Sequence, residues 1–201
     1  MSQLNQLNLN PDQFRVIVFG SARINPEDDL YKEIYKIGKA VGSMGADIVT
    51  GGGPGLMEAA NKGHFEATPD PDNKAQSIGI RIQLPFEEKS NPNLDVKIDF
   101  KKFSNRLDAF MNASDIVIVA PGGVGTLLEL SFVWQLVQVG HVKPMPVVLI
   151  GDQWKNFKEW AKENLIKPGF ADEKDLDILI CVDSAEEAID EIKKICKKCK
   201  L

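Results

Sequence analysis

Asp115-Ile116-Val117-Ile118-Val119-Ala120-Pro121-Gly122-Gly123-Val124-Gly125-Thr126-Leu127-Leu128-Glu129 runs from β-branched residues through a glycine turn into an apolar segment of helical character. The stretch reads as strand, turn and helix start. Glycines let backbone N–H groups approach an anion closely, and a helix start offers unpaired N–H groups and the positive end of its dipole. The turn is therefore a candidate phosphate site. Glu129 follows Thr126 by about one helical turn, which places a carboxylate near that site without putting it inside. The same Thr126-x-x-Glu129 spacing is also that of a capping box, in which the threonine caps the helix and the glutamate reaches back to the cap amide. Both readings stand at this level.

Working outward, short β-branched runs alternate with longer amphipathic segments along the whole chain. Strands are predicted at Arg15–Phe19, Ala46–Thr50, Ser77–Leu84, Asp115–Ala120, Pro146–Ile150 and Asp177–Val182. Helices are predicted near Asp28–Met44, Gly55–Ala67, Phe100–Asn112, Gly125–Gly140, Gln153–Leu165 and Ser184–Cys199. Apolar strands separated by helices imply βαβ units, and hence an α/β fold: one doubly wound, mostly parallel, Rossmann-like sheet with helices on both faces. The expected organisation is a single domain over residues 1–201, with 1–13 as a flexible lead-in. In such a sheet ligands bind beyond the carboxyl ends of the strands. Two more loops follow predicted strands: Gly20-Ser21-Ala22-Arg23, and Gly51-Gly52-Gly53-Pro54-Gly55-Leu56-Met57-Glu58. None of the three loops has the G-x-G-x-x-G dinucleotide fingerprint or the lysine and spacing of a Walker A loop, which disfavours a dehydrogenase or a P-loop NTPase.

A chain of 201 residues with 24 Lys and Arg against 29 Asp and Glu is mildly acidic and has no basic block. That balance argues against nucleic acid or a membrane surface as partner and favours a small molecule. Met1 through Asn8 lack the basic start and apolar core of a signal peptide, and no run approaches transmembrane length, so a cytoplasmic location is expected. Cys181, Cys196 and Cys199 make no disulfide framework, which fits a reducing compartment. Cys196-Lys-Lys-Cys199 has C-x-x-C spacing but lies in a lysine-rich helix without a second ligand pair. With His64 and His141 as the only histidines, no metal site is expected, and no cofactor is implied. Thr68–Asn73 and Pro85–Asn93 read as lids or surface loops.

The pair Gly51-Gly-Gly-Pro-Gly-Leu-Met57 and Pro121-Gly-Gly-Val-Gly-Thr-Leu-Leu-Glu129 resembles the Lonely Guy (LOG) family, once labelled "lysine decarboxylase-like". The likeness continues through Phe19-Gly20-Ser21, Ser77–Pro85, Phe103-x-x-Arg106 and Gly169-Phe170, from about Arg15 to Lys193. Members are phosphoribohydrolases that cleave the N-glycosidic bond of nucleoside 5′-monophosphates, AMP or cytokinin riboside types, to a free base and ribose 5-phosphate. The resemblance implies a catalytic pair, Arg106 and Glu129. Glycosidic cleavage develops oxocarbenium-like charge, which a carboxylate can stabilise while it orients and deprotonates water. Arg106 would hold the carboxylate and stabilise electron density moving onto the departing base; read alone, it is a helix arginine. Gly122, Gly123, Gly125 and Thr126 would hold the 5′-phosphate. Ser21, Gly52, Gly53 and Met57 would shape the nucleotide pocket, with Met57 equally readable as core.

One position departs from the family pattern: Leu107 follows Arg106 where active members usually carry lysine. Arg81, Lys102 or Arg23 are candidates for a compensating charge, and Asn105 and Asp108 for the site if the helix faces it. The departure keeps open a second class, a non-catalytic carrier of a nucleotide or of molybdenum cofactor on the same fold. A single-stranded DNA binder fits poorly with the acidic balance. Leu130-Ser-Phe-Val-Trp-Gln-Leu-Val-Gln-Val139 is apolar around its circumference, as expected of a core or interface helix; with the family's habit of pairing subunits near the site, a homodimer or higher homo-oligomer is expected.

Overall fold

The coordinates are a computed structural model, which describes residues 9–68, 74–83 and 91–196. Most of the two expected lid loops, together with Cys199, lies outside the described residues. Seven strands form one sheet: β1 (Arg15–Phe19), β2 (Asp47–Thr50), β3 (Ser77–Ile82), β4 (Val96–Phe100), β5 (Ile116–Val119), β6 (Val147–Ile150) and β7 (Leu179–Val182). Their order is β4-β3-β2-β1-β5-β6-β7, and every pairing is parallel. The chain winds outward from β1 in one direction, then returns to β5 on the other side of β1. The β1/β5 boundary is therefore the switch point at which the crossovers diverge. Phe19 pairs with Val119, so the residues that follow them, Gly20-Ser21 and Ala120-Pro121, leave the sheet side by side.

The helices are α1 (Asp29–Ser43), α2 (Leu56–Ala67), α3 (Phe103–Asn112), α4 (Val124–Gln138), α5 (Asp152–Ala161), α6 (Glu173–Leu176) and α7 (Ala185–Ile195). Alternation along the central strands divides the core between the two faces. Ile17, Phe19, Val117 and Val119 pack with α3, α4 and Trp154 of α5, while Val16, Val18, Ile116 and Ile118 pack with α1, α2 and α7. The α/β reading with helices on both faces holds.

Several boundaries differ for physical reasons. β4 was not predicted: Val-Lys-Ile-Asp-Phe alternates apolar and charged residues at the sheet edge, a pattern of one wet face rather than of a buried strand. It takes in Phe100, which the sequence pattern places in the next helix. The predicted helix from Gln153 runs as α5 only to Ala161 and continues as a π-helical turn over Lys162–Ile166. α6 is a short helix started by a reciprocal capping box between Asp172 and Asp175, too brief to show periodicity. Of the expected flexible lead-in, Leu9 is buried in the core and Arg15 Nη2 donates to the Asn10 carbonyl. Cys196 is disulfide-bonded and Cys181 is a free thiol, which is a single bridge and not a framework. Among the described residues no helix is long and apolar enough to cross a membrane.

His64, fully buried on α2, sits 2.9 Å through Nε2 from the Ala46 carbonyl oxygen. Burial pushes its pKa down from 6.5, against the smaller opposing effect of that hydrogen bond. The folded state thus resists a proton that the unfolded chain accepts, so its stabilising contribution, complete above pH 6.5, is lost as pH falls through the depressed value. His64→Gln keeps a donor for Ala46. The gap in urea midpoint between wild type and His64→Gln should shift against the wild type on acidification from neutral pH; parallel curves would contradict the assignment.

Candidate functional site

Three glycine loops meet at the carboxyl edge of the sheet and are joined by backbone hydrogen bonds. The Ser21 N–H donates to the Pro121 carbonyl at 3.1 Å, and the Ser21 carbonyl accepts from the Leu56 N–H at 2.9 Å. Ser21 thereby ties the first loop to both others. Its hydroxyl accepts from the Arg23 N–H at 3.1 Å, an ordinary turn contact.

The third loop opens α4, whose first intrahelical bond runs from the Leu127 N–H to the Gly123 carbonyl at 3.0 Å. Gly123 is the N-cap and brings no capping side chain, so the N–H groups from Gly123 to Thr126 precede any intrahelical acceptor. Gly123 and Gly125 are exposed, with nothing within 4 Å of where a Cβ would stand. This geometry corrects the capping-box alternative. Thr126 is already the third helical residue, and Glu129 belongs to the second turn. Gly122 differs from its neighbours: its N–H donates to Gln153 Oε1 at 3.0 Å, which removes it from the amides open to an anion.

Thr126 and Glu129 share the buried stripe of α4 with Leu130 and Val133. There Glu129, 9 % exposed, meets Arg106 from α3, with Nη2 and Oε1 3.3 Å apart. Arg106 is fixed from other sides as well. Its Nε donates to the Ile80 carbonyl at 3.0 Å, and its guanidinium lies 4.9 Å from the Phe110 ring centroid, within cation–π range. Burial pushes the Glu129 carboxyl up to about 7, the Arg106 charge pulling the other way. A carboxyl raised toward neutrality by burial is the kind of group that suits proton transfer.

The second loop lies directly against this pair. A Cβ at Gly51 would stand 2.6 Å from Arg106 Nη2 and 2.7 Å from Met57 Sδ, so position 51 must be glycine for the guanidinium to lie where it does. Met57 is half-buried at this edge and belongs to neither core cluster. Gly52 and Gly53 are held by a buried network that has no local sequence signature. The Gly52 N–H donates to Thr50 Oγ1 at 2.9 Å. The Gly52 carbonyl accepts from the Asn91 N–H at 3.1 Å, and the Gly53 carbonyl from Asn91 Nδ2 at 3.1 Å. Asn61, fully buried on α2, joins these parts: its Oδ1 accepts from Thr50 Oγ1 at 2.6 Å and from Asn91 Nδ2 at 3.1 Å, and its Nδ2 donates to Ser77 Oγ at 2.9 Å. An asparagine two turns into a helix carries no motif that would single it out.

Other expected contributors fall elsewhere. Leu107 is buried outside both core clusters, while Asn105 and Asp108 lie on the exposed side of α3, as do Lys102 and Arg23 on their loops. Arg81 packs its stem near Gly52 and pairs with Asp99 at 3.5 Å. Among the described residues no three His, Cys, Asp or Glu side chains are grouped to hold a metal ion.

A family model described as "Possible lysine decarboxylase" matches residues 57–192. The chain belongs to this family, the LOG family. It is similar to the pyrimidine/purine nucleotide 5′-monophosphate nucleosidase of Escherichia coli, 30% identical over 140 residues that make up 68% of this chain and 30% of that protein. The chain thus spans about a third of the length of that relative. It is also similar to the cytokinin riboside 5′-monophosphate phosphoribohydrolase of Mycobacterium tuberculosis, 28% identical over 171 residues, 80% of this chain and 84% of the relative. Among solved structures, the molybdenum cofactor carrier protein of Chlamydomonas reinhardtii superposes with a TM-score of 0.65 at 22% identity, covering 91% of this chain and 98% of that one. A likeness at that identity speaks for the fold.

Removing the Asn61 amide leaves Thr50, Ser77 and Asn91 without their shared partner in a buried site, which costs about 1–3 kcal/mol. Asn61→Ala should lower unfolding stability by that order in a denaturant titration; an unchanged midpoint would contradict the network.

Proposed function

We propose that the protein hydrolyses the N-glycosidic bond of a nucleoside 5′-monophosphate, releasing the free base and ribose 5-phosphate, in the cytoplasm. The observation that carries this reading is the buried Arg106–Glu129 pair, 3.3 Å apart, against the glycine turn that follows β2 and on the helix that the other glycine turn opens. The named activities of the E. coli and M. tuberculosis relatives support it.

In this reading the 5′-phosphate rests on the open amides from Gly123 to Thr126, where the α4 dipole favours an anion. Gly122 supplies the turn, and Ser21, Gly52, Gly53 and Met57 border the nucleoside. Ionised Glu129 takes a proton from water as the water oxygen bonds to the anomeric carbon. The carbon–nitrogen bond breaks, its electron pair passes to the base nitrogen, and the proton taken up by Glu129 passes to that nitrogen, which restores the carboxylate. The carboxylate also stabilises the cationic sugar in between. Arg106 keeps Glu129 oriented, and its fixed positive charge stabilises the electron density developing on the base.

Incubation with AMP and a panel of other nucleoside 5′-monophosphates should release base and ribose 5-phosphate. Glu129→Gln and Arg106→Ala should each lower kcat by a factor on the order of 100 or more. Because the base form of Glu129 acts, kcat/KM should rise with pH through about 7 and then level off. Release that survives Glu129→Gln, or a profile flat across neutrality, would contradict the assignment.

Most of Leu130–Val139 is packed inside the protein. Leu130 and Val133 are core, and Trp134, Leu136 and Val137 pack partly against it. Among the exposed apolar side chains are Val124, 85 % exposed, Leu127 and Leu128 at the start of α4, Val139 just past its end, and Phe103 from α3. A second copy of this chain is the proposed cover for Val124, Leu127, Leu128 and Phe103, beside the site. Sedimentation equilibrium should give a dimer that Leu128→Glu weakens; a wild-type monomer at micromolar concentration would contradict it.

A further inference from the structure

Gln153 is the second residue of α5, the helix that follows β6, and its side chain is exposed. It nevertheless makes two hydrogen bonds to one residue of the neighbouring loop. Its Nε2 donates to the Gly122 carbonyl at 2.7 Å, and its Oε1 accepts from the Gly122 N–H at 3.0 Å. One side-chain amide thus satisfies both polar groups of a single backbone residue, as a paired strand would.

The choice of residue under that clamp has a steric origin. A Cβ at position 122 would stand 2.2 Å from Thr126 Oγ1, so the loop can approach the first turn of α4 only with glycine there. Glycine brings the largest backbone freedom of any residue, immediately before the amides that would receive a phosphate. Gln153 removes that freedom from outside the loop. By occupying the Gly122 N–H it also assigns the anion to the amides from Gly123 onward.

We propose that Gln153 is a positioning residue for phosphate-bearing ligands, holding the Gly122 peptide so that the α4 amides are preorganised before binding. The inference rests on the hydrolase reading in that the phosphate is placed on α4. It goes beyond that reading by assigning a role to a residue of a different βα loop, which the sequence pattern does not single out. Freezing a loop residue on binding instead of beforehand lowers affinity by roughly tenfold.

The test uses the full chain with Gln153→Ala and Gln153→Glu. For Gln153→Ala, AMP affinity measured by calorimetry should fall roughly tenfold, and the KM for AMP should rise in proportion, with kcat within about twofold. Affinity for adenosine, which lacks the phosphate, should stay the same, and so should the melting temperature, since the side chain is exposed. Gln153→Glu retains the acceptor but loses the donor and adds an anion, so its loss for AMP should be larger and should shrink with added salt. Equal AMP affinity in wild type and Gln153→Ala, or equal losses for AMP and adenosine, would overturn the inference and leave the hydrolase reading standing. A wild type that neither binds nor cleaves any nucleoside monophosphate would overturn both.

Discussion

The buried ion pair between Arg106 and Glu129 is the constraint on which the rest of the site depends. Taking two charges out of water is costly, and their attraction repays it only where the geometry is good and the remaining donors are occupied. Here the Ile80 carbonyl and the Phe110 ring take up part of the guanidinium. The pair joins α3 to α4 across the sheet face, so the helix that opens on the glycine turn is fixed relative to the strand ends. The second glycine loop can close over the pair only because Gly51 has no side chain to strike Arg106. Burial that is unfavourable for folding is what lifts the carboxyl toward neutrality, where a base is effective.

Around that pair the fold supplies position rather than chemistry. The all-parallel sheet brings every strand's carboxyl end to one edge, and the reversal between β1 and β5 opens a crevice there. Loops that are remote in sequence become neighbours: Ser21 bonds to Pro121 and Leu56, and Gln153 to Gly122. Asn61 holds the Gly51–Gly53 turn from within the protein, while Gln153 holds the Pro121–Gly125 turn from the solvent side. Two flexible glycine loops are each restrained by an amide side chain contributed from elsewhere.

Much of this was legible in the sequence where a single physical signal dominated. The central strands are buried on both sides, so Arg15–Phe19 and Asp115–Ala120 appear as continuous β-branched runs, and their glycine turns follow at once. Arg106 and Glu129 were reached through the family resemblance, and the structure brings them within an ion-pair distance. What escaped was carried by partners rather than by pattern. β4 alternates charged and apolar residues over only five positions and exists because β3 offers it an edge. The start of α4 was placed one residue late, because Val124 is helical yet exposed and contributes nothing to an apolar face. Asn61 and Gln153 matter through what they touch, and neither has a local signature.

The state of the Glu129 carboxyl, buried beside the glycine turn, can be measured at the atom concerned. Carbon-13 NMR of the labelled glutamate side chains, assigned by comparison with Glu129→Gln, follows its titration with and without AMP. The expected result is a midpoint of about 7 in the free protein that shifts when AMP is bound, because a phosphate and a sugar then change the charge and solvation around it. A midpoint near the ordinary value of 4.5, unmoved by saturating AMP, would contradict both the burial and the placement of the site.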